Sequence, residues 1–283
     1  MTTRSLRSPD YLEYASAVDD LRAEYDAIPA GAPVRLAKRT SNLFRPRNPT
    51  TTPGLDVSAF SGVLEVDEER RTADVLGMTT YEDLVAATLP HGLVPLCVPQ
   101  LRTITLGGAV TGLGIESGSW RNGVPHESVL DMDILTGDGR VVTASPTNEH
   151  RDLFYGFPNS YGSLGYALRL RIELEPVTPY VSLRHVACGD ATGLAETIDA
   201  VVRHGSYDGE RFDYVDGTVF SRGESYLTLA TYAETADQPP SDYTGEQIYY
   251  RSIQDKRTDV LTVHDYLWRW DTDWFWCSRA FGT

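Results

Sequence analysis

The stretch TITLGGAVTGLGIESGSWRNG, Thr103 to Gly123, decides how this chain is to be read. It sets Gly107, Gly108, Gly112, Gly114, Gly118 and Gly123 between two apolar runs and carries a single basic residue, Arg121. Glycine lets a backbone approach a ligand closely and lets successive N–H groups converge on phosphate oxygens. The stretch therefore reads as a loop built around a phosphate-bearing group. Its surroundings choose between two kinds of loop.

A helix-opening dinucleotide loop needs G-x-G-x-x-G between a strand and an amphipathic helix, with an acid about 20 residues on. Gly112 and Gly114 begin such a pattern, and Asp131 and Asp133 stand near the right distance, but Ser117 occupies the place of the third glycine. The following IESGSWRNGVPHES contains Gly118, Gly123 and Pro125 and shows no 3.6-residue apolar stripe, so no helix is expected there. A P-loop is excluded because no Gly-Lys-Ser/Thr occurs. What remains is an extended glycine-rich loop that passes its ligand without opening a helix.

Outward from the loop, the segment from about Pro33 to Val177 has the texture of strands and turns. GVLEVDEERRTADVLG reads as a hairpin turned at Asp67 to Arg71, and VLDMDILTGDGRVVTAS as a second one turned at Gly137 to Gly139. Between them Thr80 and Asp83 are placed as an N-cap and its acidic partner, opening a helix that ends before Pro90. YALRLRIELEPV alternates strictly: Leu168, Leu170, Ile172 and Leu174 face one way, Arg169, Arg171, Glu173 and Glu175 the other. Before this segment, Tyr11, Leu12, Tyr14, Ala15, Val18, Leu21 and Tyr25 recur at helical spacing, predicting a packing helix over 11–29. After Pro179 a strand, a helix opened by Asp190 and closed at Gly205, and two strands around SRGES predict a β-α-β-β unit. The fold class is α+β.

Composition sets outer bounds. Hydrophobic residues at 41% supply a core, and the formal net charge of −15 repels nucleic acid and anionic membrane surfaces. The N-terminus lacks the apolar core of a secretory signal, and no run approaches the ~20 apolar residues of a membrane span. Cys97, Cys188 and Cys277 are odd in number, far apart and without a CxxC, which points to reduced thiols in a cytoplasmic protein and to no metal site. Four of the five tryptophans fall in the last sixteen residues, an aromatic density that calls for burial.

The segment PQLRTITLGGAVTGLGIESGSWRNGVPHESVLDMDILTGDGRVV resembles the second flavin-binding segment of the vanillyl-alcohol oxidase/p-cresol methylhydroxylase (PCMH-type) FAD-binding family. Pro99, Thr105, Gly107, Gly108, Gly112, Gly114, Gly123 and Asp138-Gly139 fall into that pattern, and DLFYGFPNSYGSLGYALRLRIEL resembles the closing element, with Gly162, Gly165 and Ile172 in matching places. GIES (Gly114 to Ser117), DLFY (Asp152 to Tyr155) and LWRWDTDWFWCSRAFG near the end are similar to the Δ24-sterol reductase branch. The resemblance implies an N-terminal helical segment (1–32), a two-subdomain FAD-binding domain (33–178) and the start of an α+β substrate-binding cap (179–283). It implies FAD-dependent hydride transfer to a carbon–carbon double bond of a sterol-like or isoprenoid substrate, with NADPH as donor. An alcohol or sugar oxidase of the same family, or a flavin-binding remnant without turnover, is the alternative. Members of the family are longer, so a C-terminally truncated chain is expected.

The resemblance also implies where the cofactor sits. Backbone and side chains of Pro99, Leu101, Thr103, Ile104, Thr105, Leu106, Gly107, Gly108, Gly112, Leu113, Gly114, Ser117 and Gly123 are expected at FAD, with Gly165 and Ile172 from the closing element. The family's other loop corresponds to VRLAKRTSNLFRPR, which has no glycine; Lys38, Ser41 and Asn42 stand in its place as charge and hydrogen-bond donors. That loop holds neither His nor Cys, so FAD is expected to be non-covalent. His126 reads as a loop residue. Glu116 would repel a pyrophosphate, so it points away, pairs with Arg121 or Arg102, or stands near the flavin ring. Candidates for an acid that completes the chemistry are Tyr266, His264, Asp271, Asp273 and Arg269.

Overall fold

The computed structural model describes residues 8–37, 54–244, 248–271 and 273. These divide into two compact units. The first takes the chain up to Pro95, then Thr103–Gly114 and Pro125–Glu175; the second takes Leu96–Arg102, Ile115–Val124 and the chain from Pro176 on. The fold is α+β.

The first unit opens with α1 (Tyr11–Asp26), whose Asp10 side chain accepts from Leu12 and Glu13 N–H while Glu13 reaches back to the Asp10 N–H, a capping box. Short parallel strands β1 (Leu36–Ala37) and β2 (Leu55–Asp56) follow. Next come the hairpin β3 (Val63–Asp67)/β4 (Thr72–Leu76), helix α2 (Tyr81–Thr88) capped by Thr80, strand β5 (Leu93–Pro95) and helix α3 (Leu106–Thr111). The unit is completed by the hairpin β6 (Val129–Leu135)/β7 (Val141–Ala144), helix α5 (Arg151–Gly156) and strand β8 (Tyr166–Pro176). The sheet order is β3-β4-β8-β6-β7, with β5 also on β8. The β3–β4, β4–β8, β6–β8 and β6–β7 pairs are all antiparallel, so this is no doubly wound parallel sheet.

The alternation of β8 holds as far as Leu174, whereas Glu175, expected on the opposite face, is buried as well. Leu168, Leu170, Ile172 and Leu174 are buried, each stabilising the unit by roughly 1.5–3 kcal/mol relative to an exposed position. Arg169, pointing the other way, is ringed by carboxylates: Nη2 donates to Asp131 at 2.6 Å, Nε to Asp133 at 2.8 Å, and Nη1 bonds Asp74. Tyr14 from α1 closes this network by donating to Asp133 at 2.7 Å. Leu21, Leu55, Val57, Phe60, Leu76, Leu135 and Leu168 form the adjoining apolar core. Tyr25 locks the far end of α1 by donating to Gly137 O at 2.7 Å; its ring passes where a Gly139 Cβ would stand, and Gly139 itself has φ +80°.

In the second unit, strands β9 (Tyr180–Ala187), β12 (Tyr214–Ser221), β13 (Glu224–Ala233) and β14 (Thr258–Thr262) form one sheet in the order β12-β13-β9-β14. Helix α6 (Ala191–His204), capped by Asp190 and ended by Gly205 at φ +61°, packs Leu194 and Val201 on Leu227 and Leu229. A minor pair, β10 (Ser206–Tyr207) and β11 (Glu210–Arg211), joins α6 to β12. The β-α-β-β order is the one read from sequence. Helix α7 (Tyr249–Asp255), β14 and helix α8 (Val263–Leu267) were not foreseen. Of the aromatic tail, Tyr266 and Trp268 are fully buried; Trp274 and Trp276 lie outside the described residues. Among the described residues no helix is long and apolar enough to cross a membrane.

Candidate functional site

The glycine run does open a helix, which corrects the expectation of a wholly extended loop. Thr105 takes extended backbone as N-cap and its Oγ1 accepts from Gly108 N–H, so α3 forms from LGGAVT despite two glycines. Tertiary bonds override the poor propensity: Leu106 N–H donates to Thr79 O and Gly107 N–H to Gly77 O, both at 2.9 Å. One further turn, α4 (Ser119–Asn122), forms where no helix was expected, its first turn closed by the Gly118 carbonyl.

The glycines of α3 do different work. Gly107 is buried, and a Cβ there would lie 2.7 Å from Gly77 O, so its role is close packing of the helix on the chain before α2. Gly108 is exposed, and a Cβ there would meet only the Thr105 hydroxyl, at 2.9 Å. Its bare backbone faces outward with nothing packed on it. Past Gly112, the N–H groups of Leu113 and Gly114 find no acceptor among the described residues, and the Leu113 side chain is 58% exposed. Of the first unit's other candidates, Thr103, Ile104 and Thr105 are partly buried and adjoin this surface in sequence. Leu106 and Ile172 have core side chains, and Gly165, at φ +132°, is pressed against Leu135 O.

The remaining candidates, Pro99, Leu101, Ser117 and Gly123, belong to the second unit, where two loops are tied together. Gln100 N–H donates to Glu116 Oε1 at 3.0 Å, and Asn122 Nδ2 donates to Leu96 O at 3.0 Å. Cys97 Sγ lies 3.6 Å from Ser119 Oγ, and burial pushes its thiol up to about 12, so it stays protonated and inert. Ser117 O accepts from Val215 N–H, and Ser117 Oγ shares a hydrogen bond with Tyr266 OH at 3.2 Å. Glu116 takes neither suggested arginine: Arg102 pairs with Asp271 at 3.0 Å and Arg121 lies 4.0 Å from Asp213. Burial instead raises the Glu116 carboxyl to about 8. Lys38, Ser41 and Asn42 lie outside the described residues.

One face of the second unit's sheet carries a polar cluster that sequence reasoning missed. Asp216, Thr228 and His185 stand in one cross-strand row, and His185 Nδ1 shares a 2.9 Å hydrogen bond with Thr228 Oγ1. Arg269 is buried above it. Its Nη2 donates to Asp216 at 2.7 Å, its Nη1 to Tyr266 O, and its guanidinium lies 3.8 Å from the Tyr266 ring centroid. Of the proposed acids, Asp271 is thus held by Arg102, Asp273 accepts from Tyr249 N–H at 2.9 Å, and His264 is exposed beside Asp265. His126 sits in a 3₁₀ turn with a buried, unbonded Nδ1. No group of three metal-ligating side chains occurs among the described residues.

Residues 9–145, which include Thr105, Gly108 and the open amides, match the sequence profile of the FAD binding domain. That stretch, just under half of the chain, is similar to this FAD-binding family. Curated relatives sharpen the company it keeps. It is 29% identical to a Delta(24)-sterol reductase of Pisum sativum over 184 residues, 63% of this chain and 32% of that protein. It is 30% identical to the Delta(24)-sterol reductase of Homo sapiens over 189 residues, 67% of this chain and 35% of that protein. Cytokinin dehydrogenase 10 of Oryza sativa subsp. japonica is 30% identical over 156 residues, 55% of this chain and 28% of that protein. The chain thus spans about a third of the length of the relatives it matches. FAD carries a pyrophosphate, and the residues present fit it: bare backbone at Gly108 leaves the space a Cβ would fill, and the free N–H groups of Leu113 and Gly114 are donors for phosphate oxygens.

Proposed function

We propose that this chain is the FAD-binding part of an oxidoreductase that reduces a carbon–carbon double bond in a small sterol-like or isoprenoid substrate, with NADPH as electron donor. The observation that carries the reading is the outward-facing bare backbone at Gly108, within a segment that matches the FAD binding domain in a chain similar to Delta(24)-sterol reductases. In this reading residues 33–178 hold FAD, 179–283 begin the substrate-binding cap, and 1–32 buttress the FAD-binding sheet. Thr105, Gly108, Leu113 and Gly114 hold the pyrophosphate, assisted by Lys38, Ser41 and Asn42, with no covalent bond to the flavin. When bound, FAD supplies the hydride chemistry. The protein's part is to fix the cofactor, exclude water and manage a proton. Cys97 and Cys188 are free thiols, which supports a cytoplasmic location.

The test is a visible spectrum of the purified chain before and after acid precipitation. Flavin absorbance that moves to the supernatant supports non-covalent FAD, and a colourless protein overturns the reading. Similarity to a cytokinin dehydrogenase supports a second reading, an oxidase or dehydrogenase of the same family. Anaerobic bleaching by NADPH favours the reductase, and bleaching by an alcohol or sugar favours the alternative.

A further inference from the structure

Folding seals a set of polar atoms inside the second unit without giving them partners, and such atoms are costly unless something else bonds them. Arg269 Nε, Tyr249 OH, Asp216 Oδ1 and His185 Nε2 are buried and find no hydrogen-bond partner among the described residues. We infer that these four side chains form a binding site for a neutral hydroxyl-bearing molecule, whose oxygen accepts from Arg269 and Tyr249 and whose O–H donates to Asp216. All four residues belong to the second unit, and the site stands apart from the flavin reading.

Contacts among their neighbours bring the four together. Asp216 and His185 flank Thr228 in one cross-strand row. Arg269 Nη2 donates to Asp216 Oδ2 at 2.7 Å, which occupies one carboxylate oxygen and leaves the other open. The guanidinium carbon lies 5.3 Å from the Tyr249 ring centroid, and that ring is 6.5 Å from the His185 ring. Tyr266 takes Arg269 Nη1 with its carbonyl at 2.7 Å and covers the guanidinium with its ring at 3.8 Å, so Nε is the donor left over. The group is closed to bulk solvent: Tyr249 is wholly buried, Arg269 is 4% exposed and His185 6%.

The pattern of donors and acceptors selects the ligand. Arg269 always carries its protons, and burial holds the Tyr249 phenol well above its usual range, so both act as donors. An anion would satisfy them but lie against Asp216, and a cation would satisfy Asp216 but lie against Arg269. A neutral hydroxyl does both at once, with lone pairs for the donors and a proton for the carboxylate. His185, lowered to about 4 by burial, is neutral at pH 7 and shares its Nδ1 with Thr228 Oγ1, so its tautomer adapts Nε2 to a second bond from the same molecule. Solvent water supplies such an oxygen, and buried waters make about three hydrogen bonds each. The hydroxyl of a small alcohol supplies the same chemistry.

The experiment compares the full chain with Tyr249→Phe, which removes one donor and keeps the ring, and with Tyr226→Phe, whose hydroxyl bonds Glu224 at 3.4 Å instead. Water-oxygen relaxation dispersion counts slowly exchanging waters, and melting is followed with and without methanol as the alcohol probe. If water fills the site, the wild type and Tyr226→Phe show a slow water that Tyr249→Phe lacks. The folded-to-unfolded ratio of Tyr249→Phe in urea then falls about fivefold, the loss of one hydrogen bond. If an alcohol is taken, methanol moves the melting temperature of the wild type upward relative to that of Tyr249→Phe. Either result supports the proposal and names the source of the hydroxyl. Identical slow-water signals together with identical methanol responses in wild type and Tyr249→Phe overturn it. No flavin enters these measurements, so a colourless protein would sink the flavin reading and leave this site to stand or fall alone.

Discussion

Gly107 stands directly against Gly77: its N–H donates to the Gly77 carbonyl at 2.9 Å, and a Cβ on Gly107 would come within 2.7 Å of that oxygen. Its neighbour Gly108 would place a Cβ 2.9 Å from the Thr105 hydroxyl and is otherwise unpacked. The two glycines therefore make opposite predictions. Gly107→Ala forces α3 off the chain before α2 and should cost about 1–3 kcal/mol in urea unfolding. Gly108→Leu should cost less, about 1 kcal/mol or below from the disturbed Thr105 cap, but lower flavin retention at least tenfold, read as the ratio of flavin to protein absorbance. Equal effects on stability would mean that Gly108 serves the fold alone.

Arg169 holds Asp74, Asp131 and Asp133 around one guanidinium, with Tyr14 closing the network. Arg169→Met leaves three carboxylates facing one another and should destabilise the first unit by about 3 kcal/mol at pH 7. Bonds from Arg169, Thr143 and Tyr14 hold the Asp133 carboxyl below its usual range despite burial. Its contribution to wild-type stability is therefore present above the unfolded pKa and is lost as pH falls through the lower folded value. In Arg169→Met the sign reverses, because protonation relieves the repulsion. Chemical denaturation at pH 7 and pH 5 should show the gap between variant and wild type narrowing at the lower pH.

Much of this architecture was legible locally. The caps at Thr80 and Asp190 and the glycine turns at Gly139 and Gly205 each act within a few residues and formed where the sequence placed them, and the period-2 pattern of β8 did so as far as Leu174. The opening of α3 was not legible. Its propensity is poor, and what makes it form is Thr79 and Gly77, almost thirty residues upstream. The row Asp216, Thr228, His185 was equally hidden, because it exists only once strand register brings His185 to a residue 43 positions away. Glu116 was singled out from sequence, but its partner Gln100 was not. A main-chain donor leaves no signature in side-chain identity.

Glu116 and His185 tilt the stability of the second unit in opposite directions with pH. Burial raises Glu116 to about 8, so its contribution is intact below the unfolded carboxylate value and is lost as pH rises from there toward 8. Glu116→Gln should therefore match the wild type near pH 4 and become progressively more stable than it toward pH 8. His185 is lowered to about 4 by burial, with Arg269 and Lys256 reinforcing this against Asp259. Its neutral form supports the fold at neutral pH, and that support is lost as pH falls from about 6.5 to 4. His185→Gln should flatten the acid limb and leave the alkaline limb untouched. Unfolding curves collected from pH 4 to 8 separate the two.

Asn159 and Tyr161 both adopt left-handed backbone, at φ 61° and 52°, in the loop whose N–H groups donate to Val110 O and Thr111 O at the end of α3. Asn tolerates that conformation through its short polar side chain, whereas an aromatic residue there is strained. Tyr161 is also 61% exposed, so removing its side chain loses little burial. Tyr161→Gly should therefore stabilise the first unit by up to about 1 kcal/mol, as relief of left-handed strain outweighs the added freedom of the unfolded chain. Asn159→Gly should change stability by only a few tenths. Urea midpoints of the two variants test this. A Tyr161→Gly chain that is less stable than the wild type would show that the ring makes contacts worth more than the strain it imposes.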